Sequence, residues 1–357
     1  MIGIIGATGD IGLECTKILN DYGIKSLRLG YRKKEKIVQG RNVFKFVDAE
    51  DINSCVEFIE GCDCIINCSG YSDLTISNLI KAVNKNKCIL IDLSYYDFCE
   101  RITFEGGTTY HGVGSSPGLM ESLPIIISKV FDKIHSFQIH YASIGEFTYN
   151  AAKEYLRYLD TDNFYATSIL NSGNIEPYLG ENRAITLPIS RERWMAFPYI
   201  DKRTLEVCSQ IGIGNAVFYM CMQDGYVYNF LKNIRSNSVV NINDMAQKLV
   251  DLSHLDKIGK KEFCGFVLEA TGVKDENMIE ANLIIRSTSP TRLTALTAAA
   301  VSLLALEHDN KFEIKDMSKF PWINNLLDKM MDMDTTFYYR LSKEGNMILN
   351  DIFEGEI

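Results

Sequence analysis

Ile2 to Ile5 is an unbroken apolar run, and a run without polar alternation reads as a strand buried on both faces. Leu13, Cys15, Ile18 and Leu19 then recur at helical spacing, and Tyr22-Gly23 stops that helix. The same sequence of elements repeats. Leu27–Gly30 and Asn42–Val47 read as strands, Ile52–Ile59 as a helix and Cys64–Asn67 as a strand. Leu74–Val83 reads as a helix and Cys88–Leu93 as a fifth strand. Strands alternating with helices predict a doubly wound parallel sheet with Ile2–Ile5 central. The alternation fades after about residue 116. Beyond it, Ile134–Tyr141 and Val217–Gln223 read as strands, and Ser289-Pro290 opens a long helix over 291–308. Phe337–Ile352 reads as a hairpin turning at Lys343-Glu344-Gly345-Asn346. The expected class is α/β: a Rossmann domain over 1–116, then a second, α+β substrate domain over 117–289.

Between the first strand and first helix stands Gly6-Ala7-Thr8-Gly9-Asp10-Ile11-Gly12. Three glycines at this spacing allow a tight turn, backbone approach to a pyrophosphate, and close helix–strand packing. The helix start offers free N–H groups and partial positive charge to phosphate. Gly6, Thr8, Gly9, Asp10 and Ile11 are therefore candidate dinucleotide ligands. An NAD site expects an acid about twenty residues on, for the ribose 2′-hydroxyl. Here the second strand ends in Gly30-Tyr31-Arg32-Lys33-Lys34, with no acid before Glu35. A guanidinium suits a 2′-phosphate, so the expected cofactor is NADP(H), with Tyr31 and Arg32 at the phosphate. Asp48 stands where an adenine amino group is met. Ser69 and Gly70 stand where the dinucleotide crosses the sheet edge.

Composition narrows the partners. The 357 residues are 46% hydrophobic and 23% charged, with a formal charge of −9. An acidic chain of this kind is a poor binder of nucleic acid or anionic membrane, and its longest apolar run, Leu296–Leu306, is too short to span a bilayer. The first residues carry no basic, cleavable signal, and ten cysteines fit a reducing cytoplasm, which is the expected location. Cys62, Cys64 and Cys68 lack a complementary His or Cys pair, and the five histidines lack i, i+4 spacing. No metal is expected.

Three segments carry a family resemblance. Gly61-Cys62-Asp63-Cys64-Ile65-Ile66-Asn67-Cys68 and Cys88-Ile89-Leu90-Ile91-Asp92-Leu93-Ser94 resemble the nucleotide domain of saccharopine-dehydrogenase-like reductases. Gly112-Val113-Gly114-Ser115-Ser116-Pro117-Gly118-Leu119 is similar to their Gly-x-[Asn/Asp]-Pro-Gly segment, with Ser116 in place of the acid or amide. Ile134-His135-Ser136-Phe137 looks like the strand opening their second domain. The resemblance covers the first 145 residues; beyond them it is one of architecture. It implies a returning C-terminal segment, 290–357, on the first domain, a homodimer, and a small-molecule substrate. It also implies hydride transfer to a C=N bond of an amino-acid-derived compound, or in some branches to another double bond. Ser94, Pro117 and Gly118 then join Ser69 and Gly70 around the nicotinamide, and Ser116 around the substrate.

Tyr95, His140, Tyr141 and Glu146 are the acid–base candidates, as polar residues beside the segments that this reading sets face to face. Arg193, in Arg191-Glu192-Arg193-Trp194, is the candidate clamp for a substrate carboxylate. Two enzyme patterns compete. Tyr149-x-x-x-Lys153 matches the acid–base pair of short-chain dehydrogenases, but about one such spacing is expected by chance. Semialdehyde dehydrogenases need a cysteine early in the second domain, and none lies between Cys99 and Cys208. A dinucleotide sensor without catalysis is the alternative from another class.

Overall fold

A computed structural model describes residues 1–33, 42–96, 106–159, 164–180, 184–234, 241–308 and 313–343. Lys34, Glu35 and the expected hairpin turn at 344–346 lie outside them.

The chain forms two compact units. The first takes Met1–Leu119 and Thr291–Phe337. In its leading segment run β1 (Ile2–Ile5), α1 (Asp10–Asp21), β2 (Leu27–Tyr31), β3 (Val43–Phe46), α2 (Ile52–Ile59), β4 (Cys64–Asn67), α3 (Asp73–Asn86), β5 (Ile89–Asp92) and β6 (Thr108–His111). The second unit follows with α4 (Met120–Ser128), β7 (Lys133–Ile144), α5 (Tyr149–Leu159), β8 (Phe164–Ala166), β9 (Ser168–Asn171), β10 (Asn174–Pro177), β11 (Ala184–Thr186) and β12 (Arg193–Asp201). It continues through α6 (Lys202–Gln210), β13 (Ala216–Met222), α7 (Tyr226–Ile234), α8 (Ile242–Lys257), β14 (Phe263–Lys274) and β15 (Asn277–Ser287). Last come α9 (Pro290–Leu306), β16 (Ile314–Asp316), α10 (Leu326–Met333) and β17 (Tyr338–Ser342).

The first sheet is parallel throughout, in the order β16-β6-β5-β4-β1-β2-β3. β1 is central, as its apolar run predicts, and its four residues are all buried. Helical α9 belongs mostly to this unit. The Cys15 thiol donates to the Ala295 carbonyl at 3.4 Å. Arg292 joins the elements by ion pairs to Glu14 (2.8 Å) and Asp334 (2.7 Å).

Among the described residues the second sheet is mixed and ten-stranded. Its main path is β10-β9-β13-β7-β14-β15-β17, with β12 beside β13. The returning segment leaves the first unit at Phe337, earlier than the expected 357, because β17 pairs antiparallel with β15. Backbone pairing decides the allegiance of so short a strand. Among the described residues no helix is long and apolar enough to cross a membrane.

Candidate functional site

The order of the first sheet reverses at β1. The chain moves outward from β1 to β2 and β3, then crosses back to β4 on the other side. Ligands of open α/β sheets bind at such a switch point, outside the carboxyl ends of the strands. The glycine turn and Cys68-Ser69-Gly70 stand at the carboxyl ends of β1 and β4, directly beside it.

The three glycines have different reasons. Gly6 is left-handed (φ +75°), and a β-carbon there would stand 2.8 Å from the Cys68 carbonyl and the Ser69 nitrogen. A β-carbon on Gly12 would stand 2.3 Å from the Gly6 carbonyl oxygen and 2.7 Å from Ala7 Cα. Both glycines are required by backbone contact. Gly9 is not. Its backbone is extended, and a β-carbon there would meet only the Gly6 oxygen, at an ordinary 3.5 Å. The Gly9 N–H donates to the Gly6 carbonyl (3.0 Å), closing the turn. Gly9 also caps α1 without a side-chain acceptor, so α1 begins with N–H groups that no capping side chain takes up.

Buried polar side chains lace the neighbouring strand ends together. Asn67 Nδ2 donates to Asp92 Oδ2 at 3.1 Å. Asn67 Oδ1 accepts from the Ser69 hydroxyl (2.6 Å) and the Ser69 N–H (3.1 Å). Asp92 Oδ1 accepts from the Ser94 N–H at 2.9 Å, and the Ser94 carbonyl accepts from Gly112 N–H at 2.8 Å. Candidate residues Ser69 and Ser94 are thus held in one network. Sequence reasoning missed the two residues that hold them. Their signal is a polar residue closing an apolar strand, at Asn67 and again at Asp92. His111 closes β6 likewise. Its ring stacks on Tyr96 (4.3 Å) and lies 5.3 Å from that of Tyr95.

The other cofactor candidates fall as follows. Thr8 and Ile11 are half-buried and Asp10 exposed, all at the turn or the first turn of α1. Tyr31 ends β2 edge-on to Phe46 (6.2 Å), and Arg32 is exposed just beyond. Asp48 Oδ1 already accepts the Glu50 N–H at 3.1 Å, a local turn contact that takes up part of its capacity. Gly70 is left-handed at φ +87°. Ser116 and Pro117 are half-buried, joined by a cis peptide bond, and Gly118 is buried.

The second unit separates its candidates. His140 and Tyr141 are consecutive on β7 and therefore face opposite sides of the sheet. Tyr141 is buried, stacks on Phe266 (4.7 Å) and accepts from the Cys264 thiol at 3.5 Å. Glu146 pairs with Lys257 (3.1 Å) and His254 (2.9 Å), and the Lys257 ammonium holds its carboxyl below the usual range. It belongs to a surface ion-pair cluster, a poor setting for a general acid. His140 stacks on Tyr219 at 4.5 Å, and burial pushes it down to about 4. Arg193 is exposed at the start of β12, beside fully buried Trp194. Tyr149 opens α5 and donates to Asn243 at 3.1 Å. Burial pushes the Cys62 and Cys64 thiols up, so both act as packing groups.

No family model matches the sequence, and a search of curated proteins finds no relative. A search of solved structures does. Apo saccharopine dehydrogenase (L-Glu forming) from Saccharomyces cerevisiae superposes with a TM-score of 0.68, covering 96% of this chain and 99% of that one, at 10% identity. The chain has a saccharopine-dehydrogenase-like fold. Uronate dehydrogenase from Agrobacterium tumefaciens also matches, over 32% of this chain and 50% of that one, at 17% identity and a TM-score of 0.24. The first match extends the likeness past the 145 residues in which motifs are legible, through the second sheet.

Proposed function

We propose that the protein is an NADPH-dependent reductase that acts on a C=N bond of an amino-acid-derived substrate, as a cytoplasmic homodimer. The observation that carries this reading is the open space at Gly9. Turn, switch point and uncapped helix start converge there, and no protein atom needs the position to be glycine. A dinucleotide pyrophosphate is the group such a cradle fits.

In this reading the N–H groups at the start of α1 hold the pyrophosphate. Arg32 pairs with the 2′-phosphate, where a guanidinium offers two parallel hydrogen bonds. Ser69 and Ser94, fixed by Asn67 and Asp92, line the path toward the carboxyl ends of β4 and β5. The bound cofactor supplies the hydride. Alignment is the main demand on the protein, because an iminium carbon is already electrophilic. Tyr95, beside His111 at the same sheet edge, is the acid of this scheme: it protonates the carbinolamine hydroxyl, which leaves as water when the iminium forms. Ser116 contacts the substrate.

The test is a screen of amino acids paired with keto acids or aldehydes, following NADPH consumption. Saturable consumption that falls at least about tenfold in Tyr95→Phe supports the scheme. Tight NADPH binding without turnover of any pair refutes the reductase and leaves a dinucleotide-binding protein.

A further inference from the structure

The hydrogen bonds at the carboxyl ends of β4 and β5 fix more than the place of Ser69. They fix which way its hydroxyl proton points. The Ser69 backbone N–H can only donate, and it meets Asn67 Oδ1 at 3.1 Å. That contact decides which end of the Asn67 amide is oxygen. The other end, Nδ2, faces Asp92 and donates to its Oδ2 at 3.1 Å. Asp92 is itself held by the Ser94 N–H, which donates to Oδ1 at 2.9 Å. Asn67 Oδ1 also meets the Ser69 hydroxyl, at 2.6 Å. An amide oxygen cannot donate, so the hydroxyl does. Asn67 is 1% exposed and Asp92 0%, so bulk water does not compete for these bonds.

A serine hydroxyl has one proton and two lone pairs. With the proton committed to Asn67, the Ser69 oxygen presents acceptors alone. Ser69 is half-buried and stands against the glycine turn: a β-carbon on Gly6 would lie 2.8 Å from the Ser69 nitrogen. Pyrophosphate oxygens accept hydrogen bonds too, so this hydroxyl has nothing to offer a phosphate held by the turn. It suits a donor. In a doubly wound sheet each half takes one mononucleotide. The turn, β2 and Arg32 take the adenosine half of the cofactor, and β4 lies across the switch point, on the side of the nicotinamide half. The donors of that half are its ribose hydroxyls and its carboxamide. The ribose is joined directly to the pyrophosphate, and the carboxamide lies a ring further away. A residue standing against the turn therefore meets the ribose.

We propose that Ser69 accepts a hydrogen bond from a hydroxyl of the nicotinamide ribose, and that Asn67 and Asp92 are positioning residues that set its polarity for that bond. The proposal rests on the dinucleotide-binding part of the reading above and is independent of the reaction.

The test is calorimetric titration of the full chain with three probes: NADPH, its reduced 3-acetylpyridine analogue, which lacks the carboxamide N–H, and adenosine 2′-phosphate 5′-diphosphate, which lacks the nicotinamide riboside. Ser69→Ala is expected to weaken NADPH and the acetylpyridine analogue alike, about fivefold, as loss of one neutral hydrogen bond does. It is expected to leave the adenosine diphosphate unchanged. That probe also reads the glycine turn, so a variant that merely disturbs the loop against Gly6 weakens it as well. Ser69→Thr keeps the hydroxyl and is expected to restore NADPH affinity. Asp92→Asn keeps the size but turns an amide N–H on that of Asn67. It is expected to weaken NADPH about as much as Ser69→Ala, with no further loss in the double variant. The two Ser69 variants lie at a half-buried position and carry the test by themselves if Asp92→Asn does not fold. The proposal is overturned if Ser69→Ala leaves NADPH affinity unchanged, if it weakens the adenosine diphosphate equally, or if the acetylpyridine analogue is insensitive to it. Additive losses in the double variant overturn the positioning role. Failure of the unmodified protein to bind NADPH overturns the dinucleotide reading together with this one, whereas the outcomes above overturn this one alone.

Discussion

Replacing Gly9 by valine separates the needs of the fold from those of a ligand. Gly9 has φ −89° and ψ 168°, an extended conformation that valine adopts readily. The new β-carbon meets only the Gly6 oxygen, at 3.5 Å. The fold therefore loses only the mild preference for glycine at a helix cap, about 1 kcal/mol. In a unit of this size that lowers Tm by about 2–4 °C. The proposed phosphate site would lose far more, because the branched side chain would fill the space over the first N–H groups of α1. Two lost charge-assisted bonds of about 1.5 kcal/mol each correspond to roughly a hundredfold in NADPH affinity. Gly12→Val is the contrasting variant. Its β-carbon lies 2.3 Å from a backbone oxygen that cannot move aside, and the cost is about 3 kcal/mol or more. Calorimetric titration with NADPH beside a thermal melt reads both quantities. A folded Gly9→Val protein that binds NADPH normally refutes the cradle. A Gly9→Val protein that unfolds like Gly12→Val refutes the claim that the fold leaves this position open.

Arg32→Ala should weaken NADPH about tenfold and NADH less than about twofold in paired titrations; equal losses would remove Arg32 from the 2′-phosphate. Arg292→Leu leaves the buried Asp334 carboxylate with its Thr336 bonds alone, and urea unfolding should show a loss of about 2–3 kcal/mol. Burial pushes the Asp334 carboxyl up, but Arg292 and Thr336 hold it below its ordinary value. Its stabilisation is therefore present above the unfolded pKa and lost as pH falls through the folded one; this acid slope should flatten in the variant. His140, pushed down to about 4, should stay neutral in NMR titration between pH 8 and 5. Stability linked to it is present above pH about 6.5 and falls toward pH 4, and a His140→Phe variant should lose that slope.

The first sheet was legible because its strands are buried on both faces. Ile2–Ile5 and Cys64–Asn67 stand out as apolar blocks between glycines and helical spacings. Asn67 and Asp92 were not legible as a pair. Each reads alone as a polar residue leaving a strand, and their hydrogen bond joins positions 25 apart through a register set by the whole sheet. The ion pairs of Glu146 were hidden for a related reason: its partners lie on α8, far along the chain, and no local pattern marks an ion pair of that kind. His140 and Tyr141 were separable in principle, since consecutive strand residues cannot share a face. The end of the returning segment was hidden because β17 is short and gains its place only by pairing with β15.

The contrast between the two sheets explains why the alternation of elements faded where it did. A parallel sheet covered by helices on both sides needs apolar residues at every position, and its sequence reads as blocks. A sheet with one apolar face needs them at every second position, as Phe137, Ile139 and Tyr141 are on β7. The intervening positions are then free to be polar, and Ser136 and Gln138 are half-buried polar residues of the kind such a face tolerates. His140 breaks that pattern. It stands on the polar face yet is buried among tyrosine and aliphatic groups, with its charge suppressed and one nitrogen unpaired. A leucine at the same position would pack against Tyr219 and Val267 without that cost. The imidazole nevertheless hydrogen-bonds the Val267 backbone and lies flat on the Tyr219 ring, and leucine can do neither, so these two contacts are what folding gains at this place.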